Sequence, residues 1–352
     1  MSDMSEDVGY VYCFPANQNL TQLHLKTIEG DLARVQSLIN NGEDINVRNP
    51  KLITPLHLAC CNPDHIRTIR YLVDNGADVN IRSSDGTSPL HIATENGDLP
   101  TIQYLMEHGA DPNSGNHENG TPLLQAHGNL PTIRYLLEHG ALVNARGSGQ
   151  ETPLHYEAMS LQVEAVQYLL EHGADINARN EDGGTPLHYA TDEIGLDKFS
   201  LDRGIATIQY LVEQGADVNA RNALGETALG HACMFSCLTV VQFLVNHGAN
   251  VNNSNNAGET PLHWACSESA IEAGMESNIP TVQYLLEHGA NVRARNEDGE
   301  TPLDWARSSN QTALVIYFET NQRYKLIHYC AHNGFLGKAG RKKKRKSLIN
   351  CL

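Results

Sequence analysis

A four-residue phrase recurs along this chain at a near-fixed interval, and it constrains the fold more than any other feature. Thr54-Pro55-Leu56-His57 is the first complete copy. It returns as Ser88-Pro89-Leu90-His91 and, with variations, from Thr121, Thr152, Thr185, Thr227, Thr260 and Thr301. A weaker copy, Thr21-Gln22-Leu23-His24, precedes them. Most steps are 31–34 residues, and two reach 42 and 41. A period of this length marks a row of supersecondary units that bury their apolar faces only against one another. That also accommodates 352 residues without one oversized core.

Each unit reads alike. In Thr185-Pro186-Leu187-His188-Tyr189-Ala190 the threonine is placed to cap a helix, and the proline beside it loses no hydrogen bond. Leu187 and Ala190 share a helical face. A second helix follows, as in Ala165-Val166-Gln167-Tyr168-Leu169-Leu170, and Gly173 ends it. Ala174-Asp175-Ile176-Asn177 then leads to a turn at Asn180-Glu181-Asp182-Gly183. Three second helices carry proline at their start, Pro100, Pro131 and Pro280, closely preceded by Asp98, Asn129 and Asn278 as capping residues.

The period near 33 and the wording TPLHxA resemble the ankyrin-repeat family over roughly residues 20–330. The resemblance implies an all-α fold, a solenoid of about nine stacked helix-turn-helix units with hairpin-like loops. The units start near 21, 54, 88, 121, 152, 185, 227, 260 and 301. The expected organisation is a polar arm at 1–19, the repeats at 20–333 and a disordered basic tail at 334–352. In that family the histidine of the phrase is structural, bonding between neighbouring turns. His57, His91, His155, His188 and His263 hold that place. One histidine per repeat is also the wrong arrangement for a metal, whose ligands must converge on a point. His108, His139, His172, His247 and His288 precede the terminating glycines and suit helix C-termini.

The variable residue of the phrase tends, in ankyrin proteins, to face the inner groove. Down the chain it is Leu58, Ile92, Gln125, Tyr156, Tyr189, His231, Trp264 and Trp305, and the two tryptophans are the only ones in the chain. Aromatics are enriched at interaction hot spots, so Tyr156, Tyr189, His231, Trp264 and Trp305 are candidate partner contacts. The competing role is packing between adjacent helices.

The repeats also depart from one another. The sixth carries about nine extra residues between Ala190 and Ile205, and the eighth about eight between Ala265 and Ile279. Insertions at equivalent places are expected to project from one edge of a solenoid. The fourth repeat is two residues short and has Leu124 in the histidine place, while the fifth has Glu157 where its neighbours have alanine. These adjacent irregularities predict a soft stretch around residues 120–165. The last repeat has Asp304 in the histidine place and a polar second helix over 313–321.

The formal charge of −16 is unevenly spread. Seven of 25 basic residues lie in Lys338–Lys346, leaving 18 against all 41 acidic residues before them. An acidic body repels nucleic-acid phosphates and favours a protein partner with a basic or mixed surface. The run Arg341, Lys342, Lys343, Lys344, Arg345 and Lys346 looks like a monopartite nuclear import signal read by an import receptor. Contact with anionic lipid, folding back on the acidic body, or an inert solvated tail are the alternatives. Eight scattered cysteines suit reduced, buried thiols rather than a disulfide framework. Cys233, Cys237 and His231 are only a weak metal pattern. No catalytic, cofactor or metal residues stand outside the repeat pattern.

The expected function is a non-enzymatic protein-interaction scaffold in cytoplasm or nucleus, binding through its concave face and loop tips. The alternative is an adaptor that brings a substrate to a modifying or ubiquitin-ligase complex, including a microbial or viral protein delivered into a host cell.

Overall fold

Caps set the helix boundaries. The computed structural model describes residues 19–118, 120–194, 198–235, 237–267 and 278–320. The polar arm, the basic tail, the segment 323–331 and most of the eighth-repeat insertion lie outside these residues. Two units divide the chain, residues 1–223 with the first six repeats and residues 224–352 with the last three. Within each unit, first helices pack on first helices and second helices on second helices of the next repeat. Among the described residues there are no strands, so the fold is the all-α repeat stack expected.

The first helices of the complete copies start at the proline: Pro55–Cys60, Pro89–Glu95, Pro153–Met159, Pro186–Asp192 and Pro261–Trp264. The residue before each is an extended N-cap, and its partner is the histidine three places on. The cap backbone N–H donates to histidine Nδ1 at 3.1–3.2 Å. The cap hydroxyl lies 2.7–2.9 Å from the same nitrogen. Nδ1 therefore accepts, which leaves the proton on Nε2. From there the ring donates onward to a carbonyl just ahead of the next repeat: His57 to Thr87, His91 to Gly120, His155 to Gly184 and His263 to Glu300, at 2.9–3.2 Å. His24 makes the same bridge to Ile53 at 3.0 Å, so the first repeat is capped without its proline.

Second helices are nine residues long almost throughout, as in Leu99–Glu107, Leu130–Glu138 and Ile279–Glu287. They begin one residue before the proline. Asp98 and Asn129 accept from the N–H of Thr101 and Thr132, as their spacing predicts, whereas Asn278 makes no side-chain cap bond. At their C-terminal ends His108, His139, His172, His247 and His288 donate Nδ1–H to the carbonyl four residues back at 2.7–2.8 Å. Each ring lies over the aromatic ring of that residue at 3.9–4.1 Å.

The hairpins are tied by asparagines. Asn46, Asn80, Asn113, Asn144 and Asn177 each donate to the glycine carbonyl of the next repeat, at 2.8–3.4 Å. Each also accepts the backbone N–H two residues beyond that glycine, at 2.8–2.9 Å. Asn252 does the same in the second unit, with Gly289 and Asn291.

The two irregular repeats around residue 128 are complementary. In the regular third repeat, Gly97 donates its N–H to Thr94 of its own first helix. The fourth repeat is too short to contain that carbonyl, and its first helix shrinks to the 3₁₀ turn Pro122–Gln125. Its Gly128 N–H is met instead by Glu157 Oε1 from the fifth repeat, at 3.0 Å. Glu157 is 3% exposed, and burial raises its carboxyl above the usual range. The expected soft stretch thus contains an inter-repeat bond that the regular repeats lack.

Other expectations need correction. The sixth-repeat insertion does not simply project: its described part lengthens the second helix to Lys198–Glu213, and Ile194 is buried. Arg203 reaches back to the carbonyls of Ser160 and Leu161. Leu161 holds the left-handed conformation that glycine takes in other repeats and is buried. The ninth repeat's second helix spans 312–320 and is not polar all round, since Leu314 and Phe318 are buried. Cys60, Cys233, Cys237 and Cys266 are free and buried, with burial raising each thiol, but Cys61 is disulfide-bonded, against the expectation of reduced thiols.

Two outcomes follow. Burial lowers the pKa of His24, His57, His91, His155 and His263, that of His57 to about 4. The unfolded chain titrates its histidines near 6.5, so between that value and the lower folded ones it binds more protons than the folded chain. Stability is complete above about pH 6.5 and falls as pH drops towards 4. Urea midpoints should decrease from pH 7.5 to 5, and a flat profile would refute the neutral bridge. Glu157→Ala removes the acceptor of the part-buried Gly128 N–H and should cost about 1 kcal/mol. Glu157→Gln keeps an acceptor oxygen and should cost less in the same urea titration.

Candidate functional site

In several repeats the variable residue of the phrase is more exposed than its immediate neighbours. In Thr152-Pro153-Leu154-His155 and Thr260-Pro261-Leu262-His263 every side chain is buried. The next residue, Tyr156 or Trp264, is half-buried, as are Tyr189, His231 and Trp305. A first helix exposes this position because its leucine, histidine and alanine turn to neighbouring repeats. Ile92 and Gln125 at the same position are also half-buried, whereas Leu58 is buried.

In the first unit, Tyr156 and Tyr189 are held by edge-to-face contact with histidines of the preceding repeat. His127 meets Tyr156 at 5.4 Å and His155 meets Tyr189 at 5.2 Å between ring centroids. The Tyr189 hydroxyl donates to Glu151 Oε1 at 3.3 Å and accepts from Asn180 Nδ2 at 2.9 Å. Burial, and then the Glu151 carboxylate, push this phenol up to about 12. Tyr156 is raised for the same two reasons. Both are neutral, with their rings fixed and their remaining surface open.

In the second unit, Trp264 and Trp305 pack edge to face, 5.6 Å apart and at 87°. Trp305 Nε1 donates to Glu300 Oε2 at 2.9 Å, and His263 contacts its ring. His231 Nε2 lies 3.4 Å from Glu226 Oε2. The structure thus gathers Tyr156 with Tyr189, and Trp264 with Trp305. The glutamates that anchor these side chains were not singled out from the sequence. A signal for them exists: Glu151, Glu226, Glu259 and Glu300 each stand immediately before the capping threonine of their repeat.

Among the described residues no group of three or more His, Cys, Asp or Glu side chains is placed to hold a metal. No described helix is long and apolar enough to cross a membrane. Arg341, Lys342, Lys343, Lys344, Arg345 and Lys346 lie outside the described residues.

Family models agree with this geometry. A model of three ankyrin repeats matches residues 23–116, 78–147, 123–200 and 198–274. A second ankyrin-repeat model, of many copies, matches residues 270–319. No curated protein matches the chain. With the bridging histidines, the helix pairs and these matches together, the chain belongs to the ankyrin-repeat family and has the general character of a protein-binding scaffold.

Proposed function

We propose that the chain is a non-enzymatic protein-interaction scaffold that uses half-buried variable residues as contacts in each unit by itself, Tyr156 and Tyr189 in one and His231, Trp264 and Trp305 in the other. The observation that carries this is selective exposure: the rings of Tyr156, Tyr189 and Trp264 are half-buried at a position whose immediate sequence neighbours are buried. Their edges are fixed by hydrogen bonds and ring contacts, so little side-chain freedom is lost on binding. The acidic body favours a partner with a basic or mixed surface. The tail Arg341–Lys346 supports nuclear import, and the charge of the body opposes stable contact with anionic lipid. Delivery of a substrate to a modifying complex would use the same surface and adds a docking element for that complex.

The contact surface is tested by substitution. Proximity labelling in the natural cell identifies the partner, and purified protein gives its affinity. Trp264→Ala should weaken that partner by about 2 kcal/mol or more. It should destabilise the fold less than Leu262→Ala, which empties a fully buried site at a cost of about 2–5 kcal/mol. Unchanged affinity for Trp264→Ala would remove this residue from the contact surface. For the tail, Lys342→Ala, Lys343→Ala and Lys344→Ala together should shift the protein from nucleus to cytoplasm and leave thermal unfolding unchanged. Unaltered localisation would refute the import role.

A further inference from the structure

Trp264 and Trp305 are the only tryptophans in the chain, and they stand together in the unit that also contains the basic run. Both rings are half-buried, so each keeps surface open to solvent. Trp305 Nε1 donates to Glu300 Oε2 at 2.9 Å, which holds a carboxylate beside the ring. Glu259 stands five residues before Trp264, as Glu300 does before Trp305. Its Oε2 accepts from Asn255 Nδ2 at 2.8 Å. Both carboxylates act on His263, whose ring meets Trp305 at 5.5 Å between centroids, so both lie close to the indole pair.

Neither carboxylate is neutralised. Among the described residues Glu259 and Glu300 have no ion-pair partner. Arg307 is committed to Asp304 and Glu319, at 3.5 and 3.3 Å, and Arg295 donates to the Gly299 carbonyl. The imbalance extends through the unit, since residues 224–320 contain eleven acidic side chains and three basic ones. Aromatic faces attract cations through their quadrupole, tryptophan most strongly, and a carboxylate beside the ring adds to that attraction. The face therefore suits lysine and arginine side chains, and the same chain supplies six in a row.

Length does not keep them apart. Twenty residues, 321–340, separate the last described residue from Arg341. Fully extended, a chain of that length reaches about 65–70 Å, several times the roughly 14 Å of a nine-residue helix. Tethering at such a length gives an effective concentration on the order of millimolar, enough to populate a contact too weak to form between separate molecules in dilute solution.

We infer that the run Arg341–Lys346 docks on the Trp264–Trp305 face of its own chain, with basic side chains over the indole rings and against Glu259 and Glu300. The contact gives the face a built-in competitor and withholds the run from an import receptor until a partner displaces it. That regulatory consequence rests on the contact and import roles proposed above, while the docking itself does not.

The full chain tests this, because its tryptophan emission comes only from this face. It is compared with a variant carrying Arg341→Ala, Lys342→Ala, Lys343→Ala, Lys344→Ala, Arg345→Ala and Lys346→Ala. At low ionic strength the two emission spectra should differ. Salt at about 1 M, which shortens the screening length to about 3 Å, should bring the unsubstituted spectrum to that of the variant. A peptide of residues 338–352 added to the variant should restore the unsubstituted spectrum saturably, at a concentration on the order of millimolar. Glu259→Gln with Glu300→Gln keeps acceptors for Asn255 and Trp305 and removes both charges. In that variant tryptic release of the residues beyond 341 should speed up about two-fold or more, as when an effective concentration near Kd ceases to act. Identical spectra at low ionic strength, no response to the peptide, or unaltered release in the double glutamine variant would each overturn the docking. A spectral difference that appears only as protein concentration rises would assign the contact to a second copy and overturn it too. If the double glutamine variant does not fold, the spectra and the peptide decide alone. None of these outcomes alters the tests of Trp264→Ala or of the import role, which read partner affinity and localisation.

Discussion

Within each unit, a buried imidazole that is protonated on one nitrogen only joins a regular repeat to the next. Its bare nitrogen closes the helix cap, and its N–H reaches a carbonyl about thirty residues on. A second proton would break the cap, because Nδ1 would become a donor facing the backbone N–H of the cap residue. Burial guards against that by disfavouring the charged form. The same residue type closes the second helices with the opposite tautomer, donating from Nδ1 to a carbonyl. The partner of each ring, not the residue's identity, decides where the proton sits.

Departures from the rule separate into distinct solutions. In the fourth repeat an apolar side chain replaces the imidazole and a glutamate from the next repeat serves a stranded backbone N–H. In the ninth, Asp304 closes the box within its own repeat: Oδ2 takes the Thr301 N–H and hydroxyl at 3.0 and 2.7 Å, and these bonds hold its carboxyl below the usual range. Asp304 has no N–H to send onward. In the seventh, Gly230 supplies no imidazole and the extended Thr227 still caps the helix. A repeat array tolerates such local solutions because each unit answers only to its neighbours.

The joints leave one position of the phrase uncommitted. Threonine, proline, leucine, histidine and alanine of the phrase are committed to caps and packing, so the remaining position is free to vary. In this chain it becomes increasingly aromatic towards the C-terminal repeats. The glutamates before the caps then fix those rings from the side, through the Tyr189 hydroxyl and the Trp305 indole.

Period, helix pairs, caps and the place of the variable aromatics were legible in the sequence by itself, since each follows from local chemistry: a capping hydroxyl, a proline that loses no bond, a glycine that ends a helix. The two tautomers of histidine were not, because they depend on which carbonyl lies within reach after stacking. Nor was the pairing of Glu157 with Gly128. In sequence they are two defects in adjacent repeats, and only packing brings a carboxylate 3.0 Å from the N–H that the shortened helix left behind. Tertiary structure also decided that the described part of the sixth-repeat insertion lengthens a helix, with Gly204 close to Ile194 and to Leu161 of the fifth repeat. Periodicity records what every repeat must do for itself, whereas bonds between repeats belong to the distances that stacking creates.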